Sequence, residues 1–308
     1  MSLVFLGTSG FAAAVLERLA AEPDQRPSLV LSRPDRPSGR GRRLTAPPVA
    51  DRARALGLAL AQPESVNSGE ARALIARAGA ESPARHTLVV CAFGALIKEP
   101  LLSDHDVLNV HPSLLPRWRG AAPVERAIMA GDEQTGVSIM RLTAGLDSGP
   151  VCLLAREPIA PEDDYGTLAA RLEDLSGELL LRALRERPPF VEQPQEGVSY
   201  AEKIGPEDRT LATGRPAAEL ERIVRALHPH IGARIELADG PMLGVGRARV
   251  AEPDLAAAEP GGGLFAVGER LLLACTPGVL ELLEVQPAGS RSMAAADYLR
   301  GHGLPGRA

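Results

Sequence analysis

The chain has 308 residues, 45% hydrophobic and 24% charged, with a net charge of −5. That composition excludes a disordered chain and leaves room for one large or two ordinary domains. It also argues against a general nucleic-acid coat, which carries a basic balance, and aromatic residues at 3% leave few rings on which bases could stack.

The first half alternates strand and helix patterns. The opening segment has no basic region before its apolar run, and Leu3 to Leu6 reads as a strand rather than a secretory leader. GTSG then turns into a helix from Phe11 to Leu19. A second strand spans Ser28 to Leu31, and a helix with prolines in its first turn spans Pro47 to Leu56. Thr87 to Ala92 is the continuous apolar run of a strand buried on both faces, and Val107 to Val110 is a fourth strand. VSIMRL and VCLLA predict two more strands around a Gly-rich turn, followed by a long helix from Thr167 to about Glu186. Strands alternating with helices predict a Rossmann-like α/β domain on a parallel sheet, here residues 1–189.

RPPFVEQPQ breaks the pattern and predicts a linker over 190–205. Beyond it come a helix from Ala217 to Leu227 and five short strands: Ala233–Leu237, Met242–Val250, Gly263–Val267, Arg270–Cys275 and Val279–Val285. Short strands with Gly and Pro turns predict a small β-barrel over 206–308. Cys91, Cys152 and Cys275 are far apart and odd in number, which suggests a reducing compartment without disulfides. No H-E-x-x-H or C-x-x-C occurs, and no apolar run nears the ~18 residues of a membrane span. The expectation is a soluble, cytoplasmic chain, monomeric, with no metal and no membrane partner.

Two segments carry the chemistry. In LNVHPSLLPRWRGAAP, Asn109 and His111 lie two apart on a strand and so project to one side of the sheet, at its C-terminal end, where open α/β sheets bind ligands. An amide and an imidazole aimed at one point can polarise a carbonyl, and Asp147 in the GLDSG turn could set a carboxylate against the histidine. On spacing alone, a structural histidine and Asx-type turns account for these residues as well as a catalytic site does. Trp118, the single tryptophan, reads equally as a packing residue or a substrate contact. No nucleophile elbow is present, so direct transfer is favoured over a covalent enzyme intermediate. The second segment, Arg33 to Arg43, holds five arginines (Arg33, Arg36, Arg40, Arg42, Arg43) against Asp35 alone.

Residues 108–149 resemble the signature of the folate-dependent formyltransferase family: an Asn-x-His strand end, SLLP, and a downstream Asp. The resemblance implies that Asn109, His111 and Asp147 are catalytic. It also implies that Ser113, Leu114, Leu115 and Pro116 line the pterin cleft of 10-formyltetrahydrofolate. Phe93, Gly94, Ala95, Leu96 and Ile97 resemble the other pterin wall. RPDRPSGRGRRLTAPPV is similar to the basic loop of the branch whose substrate is initiator methionyl-tRNA, which implies tRNA contacts for Arg36, Arg40, Arg42 and Arg43. YAEKI and QPAGSRS resemble later parts of the same branch, whose second domain is an OB-like barrel that binds tRNA. Ser9–Gly10 and His228–Gly232 depart from the family pattern, and from Pro206 on, 11 arginines and no lysine face 13 carboxylates. The rival readings are a formyltransferase for an amino-sugar nucleotide and a non-catalytic tRNA- or folate-binding relative.

Overall fold

The computed structural model describes residues 2–38, 43–78, 86–237, 240–252 and 263–302. Contacts divide the chain into two compact units. The first holds the chain up to Gly120 with Thr135–Pro158 and Ala169–Tyr200, and the second holds Ala121–Gln134, Ile159–Leu168 and the chain from Ala201 on. The single cut expected over 190–205 is therefore not how contacts group the chain.

The first unit contains β1 (Leu3–Gly7), α1 (Gly10–Ala21), β2 (Leu29–Leu31), β3 (Arg36–Ser38), β4 (Arg43–Thr45), α2 (Pro48–Ala55), β5 (Leu60–Ala61) and α3 (Gly69–Ala78). After these come β6 (Thr87–Cys91), α4 (Leu101–Asp104), β7 (Asp106–His111) and β8 (Arg119–Gly120). Its seven-stranded sheet has the order β10-β9-β7-β6-β1-β2-β5, where β9 spans Gln134–Arg141 and β10 Val151–Pro158. All five residues of β1 and of β6 are buried, as continuous apolar runs covered on both faces should be. Val4 and Leu6 share a core cluster with Ile75 of α3. Ser9, in the departing GTSG turn, caps α1 by accepting from Ala12 N. A Cβ on Gly7 would stand 2.7 Å from Phe5 Cε1 and 2.9 Å from Ala12 Cβ, so glycine lets α1 start this close to β1.

The pairs β1·β2, β1·β6, β2·β5 and β6·β7 are parallel, as expected, but β7·β9 is antiparallel, with His111 opposite Ser138 and Leu108 opposite Arg141. The sheet is mixed. The reason is local: the chain leaving His111 does not cross back to the other end of the sheet, so β9 starts where β7 stops and runs down beside it.

The second unit takes in α5 (Pro123–Ala130), α7 (Ala217–Leu227), and the strands β12 (Ala233–Glu236), β13 (Met242–Val250), β14 (Leu264–Val267), β15 (Arg270–Ala274), β16 (Val279–Gln286) and β17 (Met293–Ala294). The long helix α6 (Tyr165–Glu186), the short strand β11 (Tyr200–Ala201) and the last helix α8 (Ala295–His302) complete the described elements. The strands form an antiparallel sheet ordered β12-β13-β16-β15-β14, with β17 on β16. Register shifts between Val245 and Ala248 mark a bulge, the device that bends a small sheet over as a barrel requires. Leu220, Ile223, Val224 and Leu227 of α7 supply one side of its core. α5 joins this unit because Arg222 Nε donates to Met129 O at 3.1 Å and Arg126 grips Asp208 with bonds of 2.7 and 2.9 Å. Those bonds hold the Asp208 carboxyl below the ordinary carboxylate range.

Glu281, only 5% exposed, accepts from Arg270 Nε at 2.9 Å and from Arg249 Nε at 2.8 Å. The bonds from Arg270, with Arg249 beside them, hold its carboxyl below the usual value. A depressed folded pKa means stability that is complete above the ordinary glutamate pKa of about 4.3 and is lost as pH falls through the lower folded value. Glu281→Gln should therefore cost about 1–3 kcal/mol near neutral pH, because three charge-assisted bonds fall on its two oxygens and the NH2 of an amide would face arginine donors where one of those oxygens stood. In thermal melts the gap from the unaltered protein should narrow steadily on acidification; a gap that is constant with pH would contradict this account.

Candidate active site

β7 is buried from Val107 to His111, and its pleat turns Asn109 and His111 to one face. Both are nearly sealed, at 8% and 3% exposure. The loop after β9 brings Asp147 to them. Asn109 Nδ2 donates to Asp147 Oδ1 at 3.4 Å, and His111 Nδ1 lies 3.8 Å from Asp147 Oδ2. The same Oδ2 accepts from Gly120 N at 2.9 Å. The three residues expected from sequence are thus brought together, and a backbone N–H completes the set.

The other edge of the imidazole fixes its tautomer. His111 Nε2 stands 2.8 Å from the carbonyl oxygen of Trp118. A carbonyl only accepts, so Nε2 must carry a hydrogen, and in the neutral ring the lone pair is on Nδ1, the nitrogen facing Asp147. Trp118 is half-buried, with φ of +62° and Arg117 Cζ 4.4 Å from its ring centre. Its backbone, rather than its indole, is what reaches the histidine. Asp147 and Ala92 also have positive φ, 41° each. Three non-glycine residues in the left-handed region gather at this sheet edge and its loops, and such strain concentrates at working sites.

The SLLP loop is fixed from below. Ser138 Oγ donates to Ser113 O at 2.7 Å and accepts from Leu115 N at 3.2 Å, while Ser113 Oγ donates to Arg117 O at 2.6 Å. Ser113 and Leu115 are buried; Leu114 and Pro116 are half-buried. On the other loop Phe93 and Ile97 belong to the core, while Gly94 is exposed and Leu96 is 66% exposed. Thr8 Oγ1 holds Phe93 O at 2.7 Å, Arg33 Nη1 holds Gly94 O at 3.1 Å, and Asn67 Nδ2 holds Leu96 O at 2.8 Å. Leu146, beside Asp147, is 61% exposed.

Sequence reasoning missed two members of the site. Arg119 and Gln193 are each 7% exposed, and Gln193 Oε1 accepts from Arg119 Nε and Nη2 at 3.0 and 2.7 Å. Gln193 sits in the Pro-rich stretch read as a linker, where nothing but its polarity sets it apart. A recess of about 290 Å³ along β10, lined by Leu115, Val151 to Leu154 and Val191 to Pro194, includes Cys152, whose thiol is pushed up by burial.

The arginine-rich segment forms a hairpin where no strand was expected. β3 pairs with β4, Arg36 opposite Thr45 and Ser38 opposite Arg43. Arg36 and Arg43 are exposed. Arg40 and Arg42 lie outside the described residues. Gln62 Nε2 holds the hairpin's root, donating to Arg33 O at 2.8 Å and to Asp35 Oδ1 at 2.7 Å. Among the described residues no group of three or more His, Cys, Asp or Glu is placed to hold a metal ion, and no helix is long and apolar enough to cross a membrane.

Comparison with known proteins adds the following. The family described as formyl transferase matches residues 1–184, and formyl transferase, C-terminal domain, matches residues 203–303. A curated methionyl-tRNA formyltransferase of Dinoroseobacter shibae is 42% identical over 311 residues, covering 100% of this chain and 99% of its own. Among solved structures, methionyl-tRNA formyltransferase from Clostridium thermocellum aligns with a TM-score of 0.61 at 13% identity, over 93% of this chain and 98% of that one. WlaRD, a sugar 3N-formyl transferase solved in the presence of dTDP and 5-N-formyl-THF, gives 0.65 at 12% identity, over 94% and 99%. At such identities these two structures share the fold and nothing finer is drawn from them.

The Trp118 carbonyl makes a prediction about His111 that needs no substrate. In the neutral side chain, ¹⁵N-resolved NMR should find Nε2 protonated and Nδ1 bearing the lone pair. The opposite tautomer would mean that the 2.8 Å contact does not govern the ring.

Proposed function

The chain belongs to the formyl transferase family, and we propose that its reaction is transfer of the formyl group of 10-formyltetrahydrofolate to the amino group of methionine on initiator tRNA. The observation that carries the reading is the meeting of Asn109, His111 and Asp147 on one sheet edge, in a chain 42% identical, end to end, to a methionyl-tRNA formyltransferase.

The residues present fit a folate. Leu96 and Leu146 are apolar yet exposed, as side chains awaiting a flat ring would be, and Gly94 (φ +71°) brings backbone to the loop surface without a side chain. Gly94 and Leu96 on one loop, with Leu114 and Pro116 on the other, are the proposed contacts. Phe93, Ile97, Ser113 and Leu115 are the buried supports beneath them. When bound, 10-formyltetrahydrofolate supplies an electrophilic formyl carbon and a nitrogen leaving group.

The protein's part is to hold charge and protons. An asparagine amide carries two N–H donors; Asp147 takes one, and the other serves the formyl oxygen as negative charge develops on it. His111 Nδ1 and the Asp147 carboxylate together take the proton shed by the attacking amine and pass it to the folate nitrogen as it departs, so that tetrahydrofolate leaves as the N–H form. Burial of Asn109 and His111 keeps water from competing for those bonds.

Arg36 and Arg43 of the hairpin, together with Arg40 and Arg42 between them in sequence, are the proposed phosphate clamp, and the barrel region 206–308 the proposed second tRNA contact. Incubating the protein with 10-formyltetrahydrofolate and either charged initiator tRNA or an amino-sugar nucleotide, and following tetrahydrofolate release, tests the whole reading. Turnover with the sugar nucleotide alone, or with neither, would overturn it.

Two sets of variants test its parts. Asn109→Ala, His111→Ala and Asp147→Ala should each lower kcat at least ~100-fold, the usual cost of losing an oxyanion donor or an acid–base group. The Asn109–His111 double variant should lose less than the product of the singles, because the two act as one unit. Near-normal turnover in folded His111→Ala would refute the assignment. Replacing Arg40, Arg42 and Arg43 together with Gln should weaken tRNA binding and flatten the slope of log affinity against log salt by about two to three units. Folate binding should be unaffected, and an unchanged salt slope would remove the clamp.

A further inference from the structure

Asp147 adopts a backbone conformation that side-chain-bearing residues avoid, with φ of +41°. Something must hold it there. Its carboxylate bonds to Asn109 and Gly120 fix the side chain but leave the peptide on its C-terminal side to be fixed otherwise. That role falls to Gln193, whose Nε2 donates to Asp147 O at 2.8 Å and to Gly149 O at 2.7 Å, spanning the turn on both sides of Ser148.

The amide cannot be the other way round. Its Oε1 takes two bonds from the buried Arg119 guanidinium, at 3.0 and 2.7 Å, and arginine only donates. Arg119 therefore dictates that oxygen faces it and nitrogen faces the loop. A cation on the oxygen side also polarises the amide and strengthens what the N–H groups donate. The loop has no slack to find another arrangement: a Cβ at Gly149 would fall 2.0 Å from Arg141 O.

We infer that Gln193, oriented by Arg119, is a positioning residue for the formyl transfer, clamping the turn that holds Asp147 against Asn109 and His111. This rests on the reading of Asp147 as a catalytic residue. The clamp requires a donor pair at Gln193. A carboxylate of the same size would satisfy Arg119 better still, yet would confront two carbonyl oxygens with a third acceptor.

The test uses that distinction. Gln193→Glu preserves shape and the Arg119 bond and removes only the two donated bonds; Gln193→Asn keeps the donors but draws them back by one methylene. Both are made in the unaltered chain and in Asp147→Ala, and kcat and KM are measured at steady state per mole of protein, with circular dichroism reporting the folded fraction. In the unaltered chain Gln193→Glu should lower kcat about 10- to 100-fold, the effect of an ångström-scale misplacement, with KM for both substrates within about twofold. Gln193→Asn should fall between. In the Asp147→Ala background neither should cost more than about twofold further, because the residue they position is gone. Unaltered kcat in Gln193→Glu, or losses that multiply in the Asp147→Ala background, would overturn the inference. Should the Glu variant not fold, the Asn variant decides by the same comparison. Near-normal kcat in Asp147→Ala alone would instead overturn the catalytic reading of Asp147.

Discussion

One carboxylate organises the site. Asp147 meets an amide from β7, lies beside an imidazole from the same strand, and accepts from a backbone N–H at Gly120. A non-glycine residue in the left-handed region costs on the order of 1–3 kcal/mol, so the turn persists only because its surroundings over-determine it. Those surroundings account for much of the local architecture. β7 ends in Asn-x-His so that two polar groups share a face. The segment after it folds back to return Gly120, and the loop after β9 returns Asp147 to the same face.

Much of this was legible in the amino-acid order, and the parts that were not share a cause. β1 and β6 announce themselves by unbroken apolar runs, and α7 by apolar positions at helical spacing over Ala217–Leu227. The arginine hairpin does not, because Arg36 and Pro37 of β3 and Arg43, Leu44 and Thr45 of β4 are all exposed, so no alternation of polar and apolar residues reveals a strand. The antiparallel placing of β9 is hidden for another reason. Val137 to Met140 are all buried, and a strand covered on both faces reads the same in either direction. α5 groups with the second unit through Arg126 and Arg222, long polar side chains whose partners no local pattern names.

At the site, side chains with chemical character were visible and backbone groups were not. Asn109, His111 and Asp147 stand out by type and spacing. The carbonyl of Trp118 and the N–H of Gly120 belong to every peptide bond, and only the fold selects these two. The loops after β6 and β7 divide along similar lines. Phe93, Ile97 and Leu115 have the same apolar character as Leu96, and only three-dimensional packing separates core residues from those left at the surface.

The distribution of charge has a consequence for how a polyanion would first meet this protein. The chain as a whole is negative, at −5, whereas the segment from Arg33 to Arg43 sets five arginines against one aspartate. A long-range field of that kind acts less as glue than as a compass. A nucleic acid diffusing toward the negative remainder is turned away, and approaches from the hairpin's direction are favoured. The bias reaches only about a Debye length, some 8 Å at physiological ionic strength, so it shapes the final few ångströms of the encounter rather than the distant search. Orientation is then biased by charge before closer contacts form.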